Sequence, residues 1–423
     1  MHPLQRLICK KFGKTVTLQH GFWPLAAKHY LKTGISDKTG IMFKKTLIAA
    51  TSFAIIIAPI SAYAAKPKYR TNAPIAYMTD LSSGATLFEK DADKRIPPAS
   101  MAKMMTVYVA FDLIKKGEIA LEDEFVVSSG AFKKWSNQGS TMFLKEGQSV
   151  SVDDLLHGIV TLSGNDACVV LAEGIGGSEE TFVEMMNEAA QSLGMRDSRF
   201  GNSNGWPDEG RTYVTARDLT KLGASTISEF PELYTEFYGQ EEFSWNGIKQ
   251  DNRNPVLGRV RGADGLKTGH TEEAGYGFAG TAEREGRRIV MVVAGLESYN
   301  RRIEESVRFL TWGFRAWKAE ELYKAGKVVG SADVQLGTAR SVSLVAPRDL
   351  AVTLPRRAAS NYTMKIVYDG PVKAPIKAGD TVAQLVITTA DNDKQSLPLV
   401  AGEDVAEAGI FSRIWNGLAS IFA

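Results

Sequence analysis

The chain has 423 residues, 44% hydrophobic and 23% charged, with 50 basic against 48 acidic side chains and a net charge of +2. That length holds two or three domains of ordinary globular composition, and the balanced charge excludes a broad basic surface for nucleic acid. Its only cysteines, Cys9 and Cys168, exclude a disulfide framework and a cysteine-based zinc site.

Lys44-Lys45 precede an apolar run from Leu47 to Ile60, and Ala62-Tyr63-Ala64 follows. Charged, apolar and small-residue zones in that order read as a secretory signal peptide, cut after Ala64. The run is too short to cross a bilayer, which takes ~20 apolar residues. Met42 stands where such a leader begins. Residues 42–64 are therefore the expected signal peptide, and 1–41 an over-extended start or long n-region with no role in the fold.

Pro74–Asp80 and Ala85–Lys90 are extended runs joined at Ser82-Ser83-Gly84, a hairpin pattern. Ile96-Pro97-Pro98-Ala99 leads into Ser100, and nearly every residue from Met101 to Ile114 is apolar. A helix apolar all round is a buried one. Ser100 is thus expected at the N-terminus of a core helix, where free N–H groups attract an anion. Ser151 and Ser178 read as helix caps, Gly194 as a helix stop, and residues 201–210 as loop. Gly275–Thr281 and Arg287–Leu296 form a second hairpin, followed by a helix over Arg302–Lys318.

Early and late antiparallel hairpins around a set of helices predict an α+β catalytic domain over residues 65–322, with both hairpins in one sheet. Short β-rich runs then follow: Val328–Leu336, Val342–Val345, Ala351–Leu354, Met364–Tyr368 and Val382–Ile387. They predict a small all-β domain over 323–398. In the remainder, 399–423, Ile410, Phe411, Ile414, Trp415, Leu418, Ile421 and Phe422 share one helical face. That pattern predicts an amphipathic helix lying in a membrane surface.

The chemistry begins at Ser100-Met101-Ala102-Lys103, the only S-x-x-K in the chain. A serine needs a base to become a nucleophile, and residues three apart share a helix face. K-T-G occurs at Lys32, Lys38 and Lys267, the first two ahead of the leader. S-x-N occurs at Ser163, Ser244 and Ser298. Only Ser163 combines a Gly-containing turn between helices with the right order in the chain. Gly201-Asn202-Ser203-Asn204-Gly205 fits the nucleophile elbow of α/β-hydrolases, but no strand precedes it and Trp206-Pro207-Asp208 follows. His157 and His270 are the only histidines beyond the leader, too few for a zinc peptidase without H-E-x-x-H. His157 reads as a packed helix residue, and His270, next to Gly269, as a site residue. No metal or cofactor is expected.

With Ser100-Met101-Ala102-Lys103, Ser163-Gly164-Asn165 and Lys267-Thr268-Gly269-His270-Thr271 in this order, the chain resembles the low-molecular-mass penicillin-binding proteins, most closely the exported D-alanyl-D-alanine carboxypeptidases. Phe243-Ser244-Trp245-Asn246 and Asn252-Arg253-Asn254 agree with that pattern over roughly residues 66–423. The resemblance implies a β-lactamase/transpeptidase-like α+β fold, followed by a small all-β domain and a C-terminal amphipathic anchor. It implies Ser100 as nucleophile, Lys103 as its neutral base and Ser163 as proton relay between Lys103 and Lys267. Asn165 would meet the substrate amide, and Lys267, Thr268 and Arg302 its terminal carboxylate. The N–H groups of Ser100 and His270 would form the oxyanion hole, and Gly269 would spare the substrate a clash. The implied partners are the peptidoglycan stem pentapeptide, β-lactam antibiotics and a membrane surface, with no nucleic acid. A D,D-endopeptidase, a β-lactamase or a membrane-bound scaffold remains compatible with the same motifs.

Overall fold

The computed structural model describes residues 14–18, 66–391 and 393–409. The signal-peptide segment 42–64, Cys9 and the apolar C-terminal face at 410–422 lie outside the described residues.

The catalytic part is built on a five-stranded antiparallel sheet ordered Ala85–Lys90, Ile75–Asp80, Arg287–Leu296, Gly275–Arg284 and Ala263–Thr271. Both expected hairpins share this sheet, which the chain enters from its early and late segments. Strand Arg287–Leu296 is a nearly continuous apolar run because both of its faces are covered. Val290, Val292 and Ala294 join the core around helix Lys103–Lys116. Ile289, Met291 and Val293 meet Phe309, Leu310 and Phe314 of the helix Tyr299–Ala316 on the other side.

Helix Lys103–Lys116 is buried without a break from Lys103 to Phe111, as its all-round apolar sequence requires. The expected caps are in place. Ser151 Oγ accepts from the Asp154 N–H and Ser178 Oγ from the Thr181 N–H, and Gly194 takes a left-handed φ of 67° past the helix end. Ser298, one of the three S-x-N serines, caps helix Tyr299–Ala316 by accepting from the Arg301 N–H. Ser244 lies in the two-stranded ribbon Glu242–Trp245/Ile248–Asp251. His157 packs against Phe237 and Phe243, at 4.6 and 5.2 Å between ring centres.

The late helix stops at Ala316 rather than Lys318, because Trp317–Tyr323 leaves it as a strand paired with Leu350–Pro355. That pair packs on a larger sheet ordered Lys14–Leu18, Tyr362–Tyr368, Thr381–Thr389, Lys394–Ala401, Ser341–Val345, Val328–Gln335 and Val372–Lys373. Period-two alternation sends Met364, Ile366, Leu385, Ile387, Leu397 and Leu399 into its core. Four of these strands escape the sequence reading: Lys14–Leu18, the two-residue Val372–Lys373, Trp317–Tyr323 and Lys394–Ala401. Trp317–Tyr323 continues an amphipathic helix pattern, and Lys394–Ala401 carries Pro398 and crosses the expected boundary at 398. Residues 1–41 were expected to take no part in the fold, yet Lys14–Leu18 pairs antiparallel with Met364–Tyr368. The β-branched Thr15-Val16-Thr17 supplies a strand to an edge that is otherwise open.

The two modules are joined through a buried ion pair. Asp80 is fully buried and accepts from Arg287 Nε at 2.6 Å and Thr353 Oγ1 at 2.8 Å. Arg287 also donates to the carbonyls of Trp317 and Gly313. Gln395 grips the Thr353 backbone at both its N–H and its carbonyl. Asp80→Ala leaves the guanidinium buried without its counter-charge, which costs about 3–5 kcal/mol. Urea denaturation is expected to show that loss; a change below ~1 kcal/mol would contradict a supporting role for the pair.

Candidate active site

Ser100 lies in a short 3-10 turn, Ala99–Ala102, directly ahead of helix Lys103–Lys116. The sequence places it at the N-terminus of the α-helix; the tighter turn is the physical result of entering through Pro97-Pro98. Ala99 has φ 48° and Ser163 φ 64°, left-handed values that cost a residue with Cβ roughly 1–3 kcal/mol. Both flank the same cleft. The surrounding packing holds them there.

Lys103 Nζ makes three contacts: Ser100 Oγ at 2.9 Å, Asn165 Oδ1 at 2.8 Å and the Asn204 carbonyl at 2.7 Å. Its side chain is fully buried. Burial, the largest cause, lowers its pKa to about 8; Arg253 pushes the same way and Asp166 opposes. The nearby Cys168 thiol is itself held up at about 12 by burial, so it brings no negative charge to the lysine at neutral pH.

A segment of five-residue turns, Gly158–Leu162, delivers Ser163 and Asn165 to the cleft. Asn165 is fixed at both ends, since its Nδ2 donates to the Gln138 carbonyl and its backbone N–H to that of Ser140. Asp166 behind it accepts from Thr141 Oγ1 and from the N–H groups of Met142 and Leu144, which sets the loop bearing Gly139 and Ser140. Ser163 lines the cleft. The contacts of Lys103 Nζ go to Ser100, Asn165 and Asn204, and none goes to Ser163, so the expected bridge between them is not formed in this structure.

Strand Ala263–Thr271 is the edge of the sheet and brings Lys267, Thr268, Gly269 and His270 to Ser100. Thr268, Gly269 and His270 line the cleft, while Lys267, 4% exposed, lies behind its wall. Burial, and after it the charge of Lys103, pulls the Lys267 pKa well down. The need for glycine at 269 differs from the expected one. A Cβ there would stand 2.6 Å from the Pro98 carbonyl and 3.2 Å from the Met101 N–H nitrogen, so it would push the strand off the Ser100 turn before any substrate arrived.

The cleft measures about 410 Å³. Arg302 lines it, 3% exposed with Nε unpartnered, lying 5.5 Å from the Tyr276 ring centre and 5.1 Å from that of Tyr299. Burial lowers its pKa to about 10, which leaves it charged at neutral pH. Arg253, unassigned in the sequence although its Asn-Arg-Asn segment stood out, lines the same cleft and donates to Ser140 Oγ. No acidic side chain is among the described residues of the wall. The site is thus a polar, cation-rich pocket with a hydroxyl already in contact with an amine of lowered pKa. Such an arrangement suits attack on a carbonyl beside a carboxylate.

The discarded G-x-S-x-G segment belongs to the site by another route. Ser203 is buried and bonded to Glu179, so it is no nucleophile. Its neighbour Asn204 supplies the carbonyl that holds Lys103.

A model of the D-alanyl-D-alanine carboxypeptidase family matches residues 61–298, and one of the C-terminal domain of penicillin-binding protein 5 matches 317–407. The chain belongs to the D-alanyl-D-alanine carboxypeptidase family. It is 34% identical to D-alanyl-D-alanine carboxypeptidase DacA of Haemophilus influenzae over 383 residues, covering 90% of this chain and 96% of that one. It is 34% identical to DacC of Escherichia coli strain K12, covering 88% and 94% of the two chains. The crystal structure of penicillin binding protein 5 from H. influenzae superposes with a TM-score of 0.69 at 34% identity, covering 81% of this chain and 99% of that one.

The approach of loop 201–206 is a constraint on the lysine, since Asn204 supplies the carbonyl bonded to Lys103. Gly205 has φ 76°, and a Cβ on it would overlap the Ala99 carbonyl. Gly205→Ala is expected to destabilise the protein by about 2 kcal/mol and to slow labelling by fluorescent penicillin, because Asn204 must move off Lys103. Calorimetry with a labelling time course checks both; normal labelling would break the link between this loop and the lysine.

Proposed function

We propose that Ser100 is the nucleophile of a serine-type D-alanyl-D-alanine carboxypeptidase that trims the stem pentapeptide of peptidoglycan and is acylated by β-lactams. The observation that carries this reading is the contact of Lys103 Nζ with Ser100 Oγ at 2.9 Å in a cleft whose walls carry two arginines and no acid.

The three contacts of Lys103 support one direction of proton transfer. Asn165 Oδ1 and the Asn204 carbonyl can only accept, so they take the two hydrogens of a neutral amine. The lone pair is then left for Ser100, whose hydroxyl donates to it. Ser100 Oγ attacks the carbonyl between the two D-alanines as its proton passes to Lys103. The N–H groups of Ser100 and His270 receive the oxyanion, and such a donor contributes ~2.7–4 kcal/mol. The terminal carboxylate is taken by Thr268 and Arg302, with Arg253 in the same wall and Lys267 behind it adding to the positive field. Departure of D-alanine requires a proton on its nitrogen; in this reading the proton held by Lys103 returns through Ser163, which would have to close on Lys103 once Ser100 is acylated. Water then cleaves the Ser100 ester, releasing the shortened peptide and restoring the hydroxyl.

The leader at 42–64 supports export, in which cleavage after Ala64 would take the strand Lys14–Leu18 away from the β module, and the apolar face at 410–422 supports attachment to a membrane surface. Among the described residues no helix is long and apolar enough to cross a membrane. With these segments the enzyme acts on the outer side of the bacterial inner membrane, held there by its C-terminus.

Mass spectrometry after penicillin treatment is expected to find one adduct, on the peptide containing Ser100, and none in Ser100→Ala. An adduct elsewhere, or release of D-alanine by Ser100→Ala, rules out this nucleophile.

The pH dependence follows from the base. Lys103 acts when neutral, and its pKa is lowered to about 8. Acylation should therefore climb about tenfold per pH unit below that value and level off above it. A rate independent of pH between 6 and 9 would exclude Lys103 as the base.

A further inference from the structure

A groove of about 1200 Å³, larger than the catalytic cleft, runs along the outer face of helix Tyr299–Ala316. The inner face of that helix packs Phe309, Leu310 and Phe314 onto the sheet. An amphipathic helix at a surface then turns a polar face outward. This one does so only in part. Ile303, Val307 and Thr311, each partly exposed, follow one another at four-residue spacing and form the floor of the groove. That spacing lines them up in one row.

The walls are held in place from both modules. Trp312 packs on Tyr69 at 5.0 Å between ring centres, and Tyr69 stacks on Phe309 at 4.9 Å. From the β module, Pro355 and Arg356 close one end. Arg356 donates to the carbonyls of Phe314 and Arg315, which ties that end to the last turn of the helix.

The rim is strongly cationic. Arg259, Arg308, Arg315, Arg356 and Arg357 line the groove, against one acid, Glu304. Arg308 is paired with Glu305, and Glu304 with Arg301. Arg315 and Arg357 are exposed and make no ion pair among the described residues. Guanidinium groups gathered this closely repel one another, and an anionic occupant relieves that repulsion.

An apolar row flanked by arginines is the complement of a helix with an apolar stripe and acidic margins. This chain does not supply one. Residues 1–65 hold one acidic side chain, Asp37, and 410–423 hold none, so neither terminal segment matches the rim. Glu180, Glu184 and Glu188 form an exposed acidic row on helix Glu179–Ser192, but its apolar residues Phe182 and Met186 are buried. A second copy therefore offers charge without an apolar stripe.

We propose that this groove receives an acidic amphipathic helix of a separate protein, its apolar stripe on Ile303, Val307 and Thr311 and its carboxylates on Arg315 and Arg357. The docking surface lies outside the catalytic cleft and goes beyond the carboxypeptidase reading.

The test uses the full chain and a fluorescein-labelled helical peptide of leucine and glutamate, with leucines at alternating three- and four-residue spacing. Fluorescence anisotropy is expected to show saturable binding. Arg315→Glu combined with Arg357→Glu should weaken it about tenfold, and Ile303→Ser about fivefold. Labelling by fluorescent penicillin should keep its rate in both variants, which reports an intact fold. Absence of saturable binding, or binding that the charge reversals leave unchanged, overturns the proposal. Equal binding of a control peptide with serine in place of leucine reduces the groove to an anion patch and also overturns it. A dimer of the free chain that the reversals dissociate assigns the groove to a second copy instead. Capture of phosphatidylglycerol vesicles that the reversals abolish, without binding of the peptide, assigns it to a lipid surface; either outcome overturns the proposal.

Discussion

The rest of the structure is arranged around one buried amine. Lys103 carries its Nζ into a space stripped of water, where a charged ammonium is costly unless paired. No carboxylate contacts it; its partners are a hydroxyl, an amide oxygen and a backbone carbonyl. Three different elements must therefore converge on one nitrogen. Helix Lys103–Lys116 must be apolar on every side to bury the stem. Loop 201–206 must turn back through Gly205 to offer Asn204, and the segment ending at Ser163 must present Asn165. Gly269 completes the enclosure by allowing the edge strand to lie against the Ser100 turn. Local strain at Ala99 and Ser163 is a cost of the same convergence.

The electrostatics follow from this enclosure. Lys103, Lys267, Arg253 and Arg302 repel one another across a small volume, and burial adds to the penalty of keeping all four charged. The pKa values of both lysines fall, whereas the arginines remain cationic at neutral pH. In the proposed mechanism, neutrality at Lys103 supplies the base. The remaining positive field, unscreened by any acid among the described wall residues, favours a substrate that brings its own carboxylate. One set of repulsions thus serves both the catalytic step and the choice of substrate.

What could be read from the sequence follows from how each feature acts. The S-x-x-K spacing, the caps at Ser151 and Ser178 and both hairpins act over a few residues, so residue type and period reveal them. Asn204 works through its backbone carbonyl, which leaves no side-chain signature, and it lay inside a motif that pointed elsewhere. From sequence Gly269 reads as sparing a substrate; its closeness to the Pro98 carbonyl is a tertiary contact that no local pattern carries. Trp317–Tyr323 continues a helix pattern and becomes a strand only because Leu350–Pro355 lies alongside. Its conformation is decided by tertiary pairing, which overrides local propensity.

The catalytic sheet also separates the two places where the chain is most constrained. Register runs from Asp80 to Ile289, from Ile289 to Ala282 and from Ala282 to Ala263, so the junction ion pair lies level with the start of the motif strand. His270, near the other end of that strand, pairs with Tyr276 and through it with Leu296. Three strand spacings across and seven residues along put roughly 30 Å between Asp80 and His270. The β module is therefore fastened at a corner of the sheet diagonally opposite the cleft. The fastening is the buried Asp80–Arg287 ion pair of the catalytic sheet, to which Thr353 of the β module donates.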